Sequence, residues 1–309
     1  MRGQRILITG VSGFTGRHLA DRLRTQADAT LIGLDIKPAP PGLVDLHFQC
    51  DVADAASVDP AVAEADPDVV FHLAGLFRAE SDRELTRVNI GGLTRLATAL
   101  RQHRTGRPVR MVIVGSAAEI SATRIGRLPV DELVECHPDT AYGRTKWMAT
   151  QLARNEPSES PLEIVVARAF NLVGPGLSAQ LDLGDFADQV AAVVRGEAKA
   201  VQCGTLEARR DFLDVRDAVE AYILLAEQGR PREVYNVCQG QSYRMGELLD
   251  MLIELSGADV PVRSDPASPP PAVPDLYGDA KKIQLETGWA PTIPIRQSLA
   301  DMLGPLINR

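Results

Sequence analysis

The stretch "RILITGVSGFTG", residues 5–16, decides the fold of this 309-residue chain. A short apolar run ends in Gly10, and Gly13 and Gly16 follow as an amphipathic helical pattern begins. Glycine at the first position permits a tight turn, at the second it lets a pyrophosphate approach the backbone, and at the third it lets the helix pack on the strand. The positive amino end of that helix would face the phosphates. The spacing therefore predicts a dinucleotide-binding turn.

Acidic residues after the next two strand-like runs extend this site. Asp35 ends "TLIGLD", about twenty residues beyond the glycines, where a carboxylate accepts hydrogen bonds from the adenosine ribose and repels a 2′-phosphate. We expect NAD(H) to be favoured, with NADP(H) as the alternative because Lys37 follows closely. Asp51, in "CDV", is a candidate partner of the adenine amino group. Either aspartate could instead be a turn former.

Strand-like runs alternate with helical patterns through the first half of the chain. The runs are "RILIT", "TLIGLD", "LHFQCDV", "DVVFHLAG" and "VRMVIVGS". This alternation is typical of parallel β-α-β units with helices on both faces of the sheet. "VVFHLA" lacks period-two alternation, which predicts a central strand. We expect an α/β fold, with a Rossmann-type doubly wound parallel sheet and a smaller C-terminal α/β subdomain.

The same patterns predict two domains. Residues 1–169 would form the dinucleotide-binding domain, with returning segments near 210–236 and 276–289. Residues 170–309 would form mainly the substrate-binding subdomain. Six prolines between positions 261 and 274 cannot continue a helix or an interior strand, so we expect an ordered crossing loop there rather than a flexible linker.

Charge and cysteine content exclude several classes of partner. The formal net charge is −8, which argues against binding to nucleic acid or to an anionic membrane surface. No apolar run approaches the ~18 residues that a membrane span needs. The cysteines are widely separated and predict neither a zinc site nor a disulfide framework. We expect a cytoplasmic protein without a metal ion. The cysteines are Cys50, Cys136, Cys203 and Cys238.

A second group of residues carries candidate chemistry. Ser116 ends the run "MVIVGS", and Tyr142 and Lys146 lie four apart in "YGRTK", on one side of a helix. Tyrosine, with a usual pKa of about 10, is a poor acid–base catalyst at neutral pH, but an ammonium one turn away favours its phenolate. Ser116 can bind the same substrate oxygen. Taken singly, each residue also fits a structural role.

Together these motifs resemble the extended short-chain dehydrogenase/reductase family, and the resemblance covers nearly the whole chain. It is carried by "TGVSGFTG", Asp51-Val52, "HLAG" at 72–75, Asn89, Ser116, "YGRTK", "ARAFNLVGPG", "RRDFLDVRDAVEAY" and "TGWAPTIPI". The resemblance implies cofactor contacts at Gly10, Gly13, Phe14, Thr15, Gly16, Asp35, Asp51, Val52, Leu73, Ala74, Gly75, Asn89, Tyr142 and Lys146.

The resemblance also implies chemistry at the C4 hydroxyl or ketone of a nucleotide-activated sugar. Tyr142 would exchange a proton with the C4 oxygen, Ser116 would orient that oxygen, and Lys146 would support Tyr142 and hold the nicotinamide ribose. Hydride would move between C4 and the nicotinamide.

The implied substrate contacts lie partly outside the catalytic group. Arg210 would grip the diphosphate as a bidentate partner, unless it forms a surface ion pair with Asp211 or Asp214. His72 is expected to be a packed strand residue. The full set of expected substrate contacts is Phe77, Ser116, Asn171 and Arg210.

Residues after Ser116 bear on the type of reaction. Dehydratases of this family place Asp or Ser and then Glu directly after the catalytic Ser or Thr, but Ala117 and Ala118 stand here. Glu119 comes one residue late, which turns it to the opposite face of a strand-like segment. A 4,6-dehydratase is therefore disfavoured unless the turn shifts in register.

The second half is most similar to reductases of GDP-6-deoxy-4-keto-mannose, which implies reduction of a 4-keto-6-deoxy sugar nucleotide. A 4-epimerase with tightly bound NAD is the alternative, and a non-catalytic dinucleotide-binding regulator is a third. Two departures leave the nucleotide open. Pro269 and Ala272 stand where such reductases carry charged residues, and Ile120-Ser121 replaces the usual Tyr-Gly.

The family resemblance further implies a homodimer. The helical pattern "SDRELTRVNIGGLTRLATALRQH" and the helix that starts at Tyr142 have apolar faces beyond their site residues. In this family two such helices from each subunit form a four-helix bundle. Packing within one subunit explains the same pattern.

Overall fold

The structure of this chain is a computed structural model. It describes residues 3–25, 28–103, 106–120, 127–265 and 273–309. The expectations for Ser121, Pro269 and Ala272, and for the middle of the proline-rich loop, lie outside the described residues.

Most strands belong to one parallel sheet. In chain order the strands are β1 Arg5–Thr9, β2 Thr30–Asp35, β3 Leu46–Gln49, β4 Val69–His72, β5 Val109–Ser116, β6 Leu162–Ala169, β7 Asn171–Val173, β8 Val201–Cys203, β9 Arg209–Asp214, β10 Val234–Val237, β11 Ser242–Arg244, β12 Val262–Ser264 and β13 Asp275–Leu276. The main sheet has the order β10-β6-β5-β4-β1-β2-β3, and all its pairs are parallel. The strand order reverses between β1 and β4, where α/β sheets bind ligands beyond the carboxyl ends of their strands.

Helices cover both faces of this sheet. In chain order, the helices of the described residues are α1 Phe14–Arg24, α2 Ala55–Ala65, α3 Asp82–Thr86, α4 Gly92–His103, α5 Ala141–Arg154, α6 Asp182–Val194, α7 Val215–Gln228, α8 Met245–Ser256, α9 Lys281–Thr287 and α10 Ile295–Ile307. Ile6 and Ile8 join the apolar cluster that contains α1 and α7, whereas Leu7 joins the cluster of α2, α4 and α5. Successive residues of β1 thus point to opposite faces. The predicted doubly wound α/β fold is confirmed.

The centre of the sheet agrees with the sequence pattern. All four residues of β4 are buried, because β1 and β5 flank it and helices cover it above and below. A π-helical turn, Arg87–Gly91, joins α3 to α4, and a 3-10 turn, Ala117–Glu119, follows β5. Both irregular turns lie next to residues expected at the site.

The second half builds a smaller unit and also returns to the main sheet. Strand β9 pairs in parallel with β7 and β13 and antiparallel with β11, while β8 and β12 form a separate parallel pair. Helices α6, α8 and α10 pack together in a third apolar cluster. Strand β10 joins the main sheet beside β6. Within the described ranges, no helix has both the length and the apolar character that crossing a membrane requires.

Candidate active site

The glycine turn packs tightly against the loop that follows β4. Gly10 has a φ of +72°, and a Cβ there would lie 2.8 Å from the backbone nitrogen of Ala74. A Cβ at Gly16 would lie 2.7 Å from the Cα of Val11, so α1 rests directly on the turn. A Cβ at Gly13 would meet only the carbonyl oxygen of Gly10, at 3.1 Å. Gly10 therefore serves a tight turn and Gly16 serves close packing.

The amino end of α1 suits an anion. Gly13 is the N-cap, no side chain caps the helix, and its first turn, which begins with Phe14 and Thr15, contains no acidic residue. Backbone N–H groups at such an end can donate to phosphate oxygens, and the helix dipole favours negative charge there. The residues present therefore fit the pyrophosphate of a dinucleotide.

Asp35 lies beside this turn at the carboxyl end of β2. Its carboxylate accepts hydrogen bonds from the backbone nitrogens of Ser12 and Lys37, each at 3.0 Å. The Ser12 hydroxyl donates to the carbonyl oxygens of Lys37 and Pro38. Asp35 therefore serves the local turn and also borders the glycine turn, where a ribose would lie.

Asp51 takes part in local structure. Its carboxylate accepts a hydrogen bond from the backbone nitrogen of Ala53 at 2.8 Å and lies 3.1 Å from a guanidinium nitrogen of Arg87. Val52 is buried, and a Cβ at Gly92 would lie 2.8 Å from it. Asp51 thus has the turn-forming role that the sequence left open, and it adds an ion pair that sequence reasoning missed.

The loop after β4 is held between β1 and the π-helical turn. The backbone nitrogens of Leu73 and Ala74 donate to the backbone oxygen and the hydroxyl of Thr9, respectively, each at 3.2 Å. A Cβ at Gly75 would lie 3.0 Å from Oδ1 of Asn89. Gly75 therefore lets this loop pass close to the π-helical turn.

Asn89 anchors the same loop from within the π-helical turn. The buried Asn89 amide accepts from the backbone nitrogen of Leu76 at 2.7 Å and donates to the Leu76 carbonyl at 2.8 Å. It also donates to the hydroxyl of Thr145 at 2.9 Å. Asn89 consequently fixes the loop against the helix that carries Tyr142 and Lys146.

Ser116, Tyr142 and Lys146 converge at the carboxyl end of β5. Ser116 is the last residue of β5, and its Oγ accepts a hydrogen bond from the backbone nitrogen of Ala118 at 3.1 Å. On α5, Nζ of Lys146 lies 5.7 Å from the centroid of the Tyr142 ring and donates to the carbonyl of Val114 at 2.9 Å. The arrangement brings a hydroxyl, a phenol and an ammonium to one edge of the sheet.

His72 is packed in β4, as expected. Its Nδ1 lies 2.9 Å from the hydroxyl of Thr9, and the residue is buried. Burial, with a smaller contribution from the Lys146 ammonium, lowers the pKa of His72 to about 3. The buried His72 imidazole is therefore neutral at physiological pH.

The Glu119 carboxylate is buried and hydrogen-bonded within the protein, so it does not take the position that a dehydratase would require. Its carboxylate is fully buried, with Oε1 accepting from the backbone nitrogen of Ser116 and Oε2 from the hydroxyl of Thr150 and Nε of Arg168. The register shift that would turn Glu119 to the substrate is not present. Sequence reasoning missed this role, although Ser-x-x-Glu is the pattern of a capping box, which Ser116 and Glu119 form here.

Apart from Ser116, the predicted substrate contacts lie on strands β7 and β9, in the second half of the chain, and on the loop after β4. Asn171 begins β7, and its side chain donates to the carbonyl of Asp211 at 2.9 Å. Arg210, on β9, donates to the carbonyls of Arg209 and Val273 at 2.7 and 2.8 Å. Phe77 is 36% exposed. The loop and β9 thus leave these side chains outside the core.

The alternative ion pair of Arg210 is not formed. The buried Asp211 carboxylate instead accepts hydrogen bonds from the backbone nitrogens of Gln239, Gly240 and Gly278, and Asp214 pairs with Arg216. Burial raises the pKa of Asp211 to about 6, against the lowering effect of those hydrogen bonds. Desolvation lowers the pKa of Arg210.

In the described part of the chain, no three His, Cys, Asp or Glu side chains gather to hold a metal ion.

A glycine turn at the switch point of a doubly wound sheet, with Ser, Tyr and Lys at the neighbouring strand, defines an NAD(P)-dependent extended short-chain dehydrogenase/reductase. The match to a family model is consistent with this class. The chain belongs to the NAD dependent epimerase/dehydratase family, whose model matches residues 6–238. The family expected from the sequence is confirmed.

Two proteins and one solved structure are similar to this chain over nearly its whole length. GDP-6-deoxy-D-mannose reductase from Pseudomonas aeruginosa is 30% identical over 99% of this chain and 98% of the relative. dTDP-6-deoxy-L-talose 4-dehydrogenase (NAD(P)(+)) from Kitasatospora kifunensis is 28% identical over 96% of this chain and 94% of the relative. A solved structure of RMD from Pseudomonas aeruginosa complexed with NADPH matches with a TM-score of 0.88 and 28% identity, covering 99% of each chain. These relatives agree with two expectations from the sequence. One is the similarity to reductases of deoxysugar nucleotides, and the other is a nicotinamide cofactor.

Proposed function

We propose that this protein is an NAD(P)H-dependent reductase that converts the 4-keto group of a 6-deoxy sugar nucleotide, a GDP-sugar, to a hydroxyl. The observation that carries the proposal is the convergence of Ser116, Tyr142 and Lys146 at the end of β5, beside a glycine turn that fits a dinucleotide. The likeness to GDP-6-deoxy-D-mannose reductase over almost the whole chain supports the substrate class.

The burial of Glu119 supports reduction over dehydration. A 4,6-dehydration needs a base to remove the C5 proton and an acid to expel the C6 hydroxyl. Ala117 and Ala118 can supply neither, and Glu119 is engaged by Thr150 and Arg168. No residue directly after Ser116 can act at C5 or C6. The proposed chemistry is therefore proton exchange at the C4 oxygen alone.

The residues of the chain act on that oxygen. A reduced nicotinamide cofactor, held at the glycine turn, would supply the hydride. The Tyr142 hydroxyl donates its proton to the C4 oxygen, and the Ser116 hydroxyl donates a hydrogen bond that orients the same oxygen. The Lys146 ammonium stabilises the phenolate that remains. Its hydrogen bond to the carbonyl of Val114 holds it beside β5.

The cofactor half of the proposal rests on the glycine turn and on Asp35. The open amino end of α1 fits the pyrophosphate, and Asp35 favours an unphosphorylated ribose, hence NAD(H). Lys37 and the relative solved with NADPH support NADP(H) as the alternative. The substrate half rests on Arg210 for the diphosphate, on Asn171 beside the sugar or its phosphate, and on Phe77.

The first experiment identifies the nucleotide released from the purified protein. The protein is then incubated with GDP-4-keto-6-deoxy-mannose and NADH or NADPH while the absorbance of the reduced nicotinamide is followed. We expect oxidation of the cofactor that is lost in Tyr142→Phe. NAD found already bound, with no oxidation of added cofactor, would contradict the proposal and direct the search to epimerisation of an intact sugar nucleotide.

We also propose that the protein is a homodimer through α4 and α5. Three large apolar side chains of α5 are partly exposed, which favours a partner surface over a solvated one. Met148→Glu is expected to convert a dimeric mass in solution to a monomeric one. A monomeric mass of the unaltered protein would contradict the proposal. The exposed side chains are Trp147 at 36%, Met148 at 41% and Leu152 at 44%.

A further inference from the structure

We infer that Glu119 is a positioning residue for Ser116, and that its buried carboxylate ties Ser116 to the helix that carries Tyr142. The inference rests on the proposed function and extends it to a residue that does not touch the substrate. Oε1 of Glu119 accepts a hydrogen bond from the backbone nitrogen of Ser116 at 2.8 Å. Glu119 thus holds the backbone of Ser116, while the Ser116 hydroxyl remains at the site.

The other carboxylate oxygen reaches two different elements. Oε2 accepts hydrogen bonds from the hydroxyl of Thr150 at 3.0 Å and from Nε of Arg168 at 3.3 Å. Thr150 lies on α5, about two turns beyond Tyr142, and Arg168 lies on β6. A single carboxylate therefore joins the end of β5, helix α5 and strand β6. Because Ser116 and Tyr142 come from different elements, such a link sets the distance between their hydroxyl groups.

Two glycines allow the turn and the helix to approach each other. A Cβ at Gly115 would lie 2.5 Å from Oε1 of Glu119, so a side chain there would displace the carboxylate. A Cβ at Gly143 would lie 3.1 Å from the carbonyl carbon of Ala118, in the turn that Glu119 completes. The 3-10 turn after Ser116 and helix α5 therefore approach each other closely at Gly143, and Gly115 leaves room for the carboxylate that links them. A side chain at Gly143 would push the two elements apart.

The charge on Arg168 keeps this link in place. Glu119 and Arg168 have side-chain exposures of 0% and 3%. Burial raises the pKa of Glu119, whereas Arg168, the Ser116 nitrogen and the Thr150 hydroxyl lower it. Arg168 also donates to Sγ of Cys136 at 3.5 Å. Removal of one partner leaves the other as an uncompensated buried charge, so loss of both should do less harm than loss of either.

A double-mutant cycle with Ser116 tests the inference on the full-length enzyme. Glu119→Gln keeps the shape of the side chain but removes its charge. We expect kcat to fall about tenfold, with KM changed by less than about twofold. In a Ser116→Ala background the same substitution should cause no further loss of kcat, because the group that Glu119 positions is already absent. Equal losses of kcat in both backgrounds would overturn the inference.

A second ion pair, in which the carboxylate is buried but the arginine side chain is 38% exposed, provides a control. Glu156 is buried, pairs with Arg101 and receives a hydrogen bond from the hydroxyl of Ser160, at the far end of α5. Glu156→Gln should lower Tm as Glu119→Gln does, yet leave kcat unchanged. If both variants lower kcat in proportion to their loss of Tm, the role of Glu119 is merely structural.

A readout that does not need the substrate separates this inference from the proposed function. Amide hydrogen exchange at Ser116, measured by NMR, should accelerate in Glu119→Ala, which removes the acceptor of that N–H, and remain unchanged in Glu156→Ala. Failure of the unaltered protein to oxidise NADH or NADPH would contradict the proposed function alone. Unchanged exchange at Ser116 in Glu119→Ala would overturn the positioning role whatever the activity.

Discussion

The ammonium of Lys146 lies 5.7 Å from the centroid of the Tyr142 ring and is held there by a 2.9 Å hydrogen bond to the carbonyl of Val114. The ring and the ammonium are thus placed by one turn of α5 and by one strand of the main sheet. The backbone carbonyl thus holds Nζ, and the charge that it carries, beside Tyr142.

Removal of this charge should reduce turnover. Lys146→Met is expected to lower kcat by about 100-fold, since proton transfer by a positioned side chain contributes about 10²–10⁴-fold. Steady-state kinetics with the 4-keto substrate measure the loss. Lys282→Met is the control, because Nζ of Lys282 lies 4.5 Å from the Tyr235 ring and pairs with Glu233, outside the proposed site. Equal losses in the two variants would contradict the assigned role of Lys146.

The tight turn at Gly10 should not tolerate a side chain. Gly10→Ala places a Cβ 2.8 Å from the backbone nitrogen of Ala74, at a φ of +72°. We expect it to destabilise the protein by about 3 kcal/mol or more and to weaken NADH binding, because strain adds to a backbone clash. Urea unfolding and cofactor titration measure the two effects.

Gly42 separates the clash from the backbone strain. Its φ is +76°, and nothing lies within 4 Å of a Cβ built there. Gly42→Ala should cost only about 1–2 kcal/mol, the usual penalty for a left-handed residue, with cofactor binding intact. A loss in Gly42→Ala as large as that in Gly10→Ala would show that contact with Ala74 does not matter.

Asp35 should control the choice between the two nicotinamide cofactors. Asp35→Ser removes the carboxylate that repels a 2′-phosphate while leaving an acceptor for the backbone nitrogen of Ser12. We expect the ratio of kcat/KM for NADPH to that for NADH to rise by about tenfold or more, corresponding to about 1.4 kcal/mol. An unchanged ratio would contradict a contact between Asp35 and the adenosine ribose.

The buried His72 should make stability depend on pH. Its pKa falls from 6.5 to about 3 on folding, so below pH 6.5 the unfolded chain binds a proton that the folded chain does not. The stability present above pH 6.5 is therefore lost as the pH falls towards 3, by about 2 kcal/mol between about pH 7.5 and about pH 5. His72→Gln removes this titration, so the drop in unfolding free energy between the two pH values should be smaller by that amount. An equal drop in both proteins would contradict the low pKa of His72.

The sequence alone determined the class of fold and the spacing of the residues that we propose as the reacting groups. Gly10, Gly13 and Gly16 follow a strand and open a helix, and each requirement acts within a few residues, so spacing was enough to predict the turn. Tyr142 and Lys146 lie one helical turn apart, which local periodicity predicts directly. The alternation of strands and helices along the chain predicted the doubly wound sheet, because parallel strands need a crossover helix between them.

The tertiary structure alone decided which polar partners meet. Glu119 is three residues from Ser116, but its role depends on Arg168, 49 residues later on another strand. Asp211 neighbours Arg210 in sequence, yet successive residues of a strand point to opposite sides, and its carboxylate binds backbone nitrogens at 239, 240 and 278 instead. Local spacing predicts which side chains share a face of one element. Which element packs against that face depends on the long-range burial of apolar surface, and this is why the sequence predicted the glycine turn but not the carboxylate that holds Ser116.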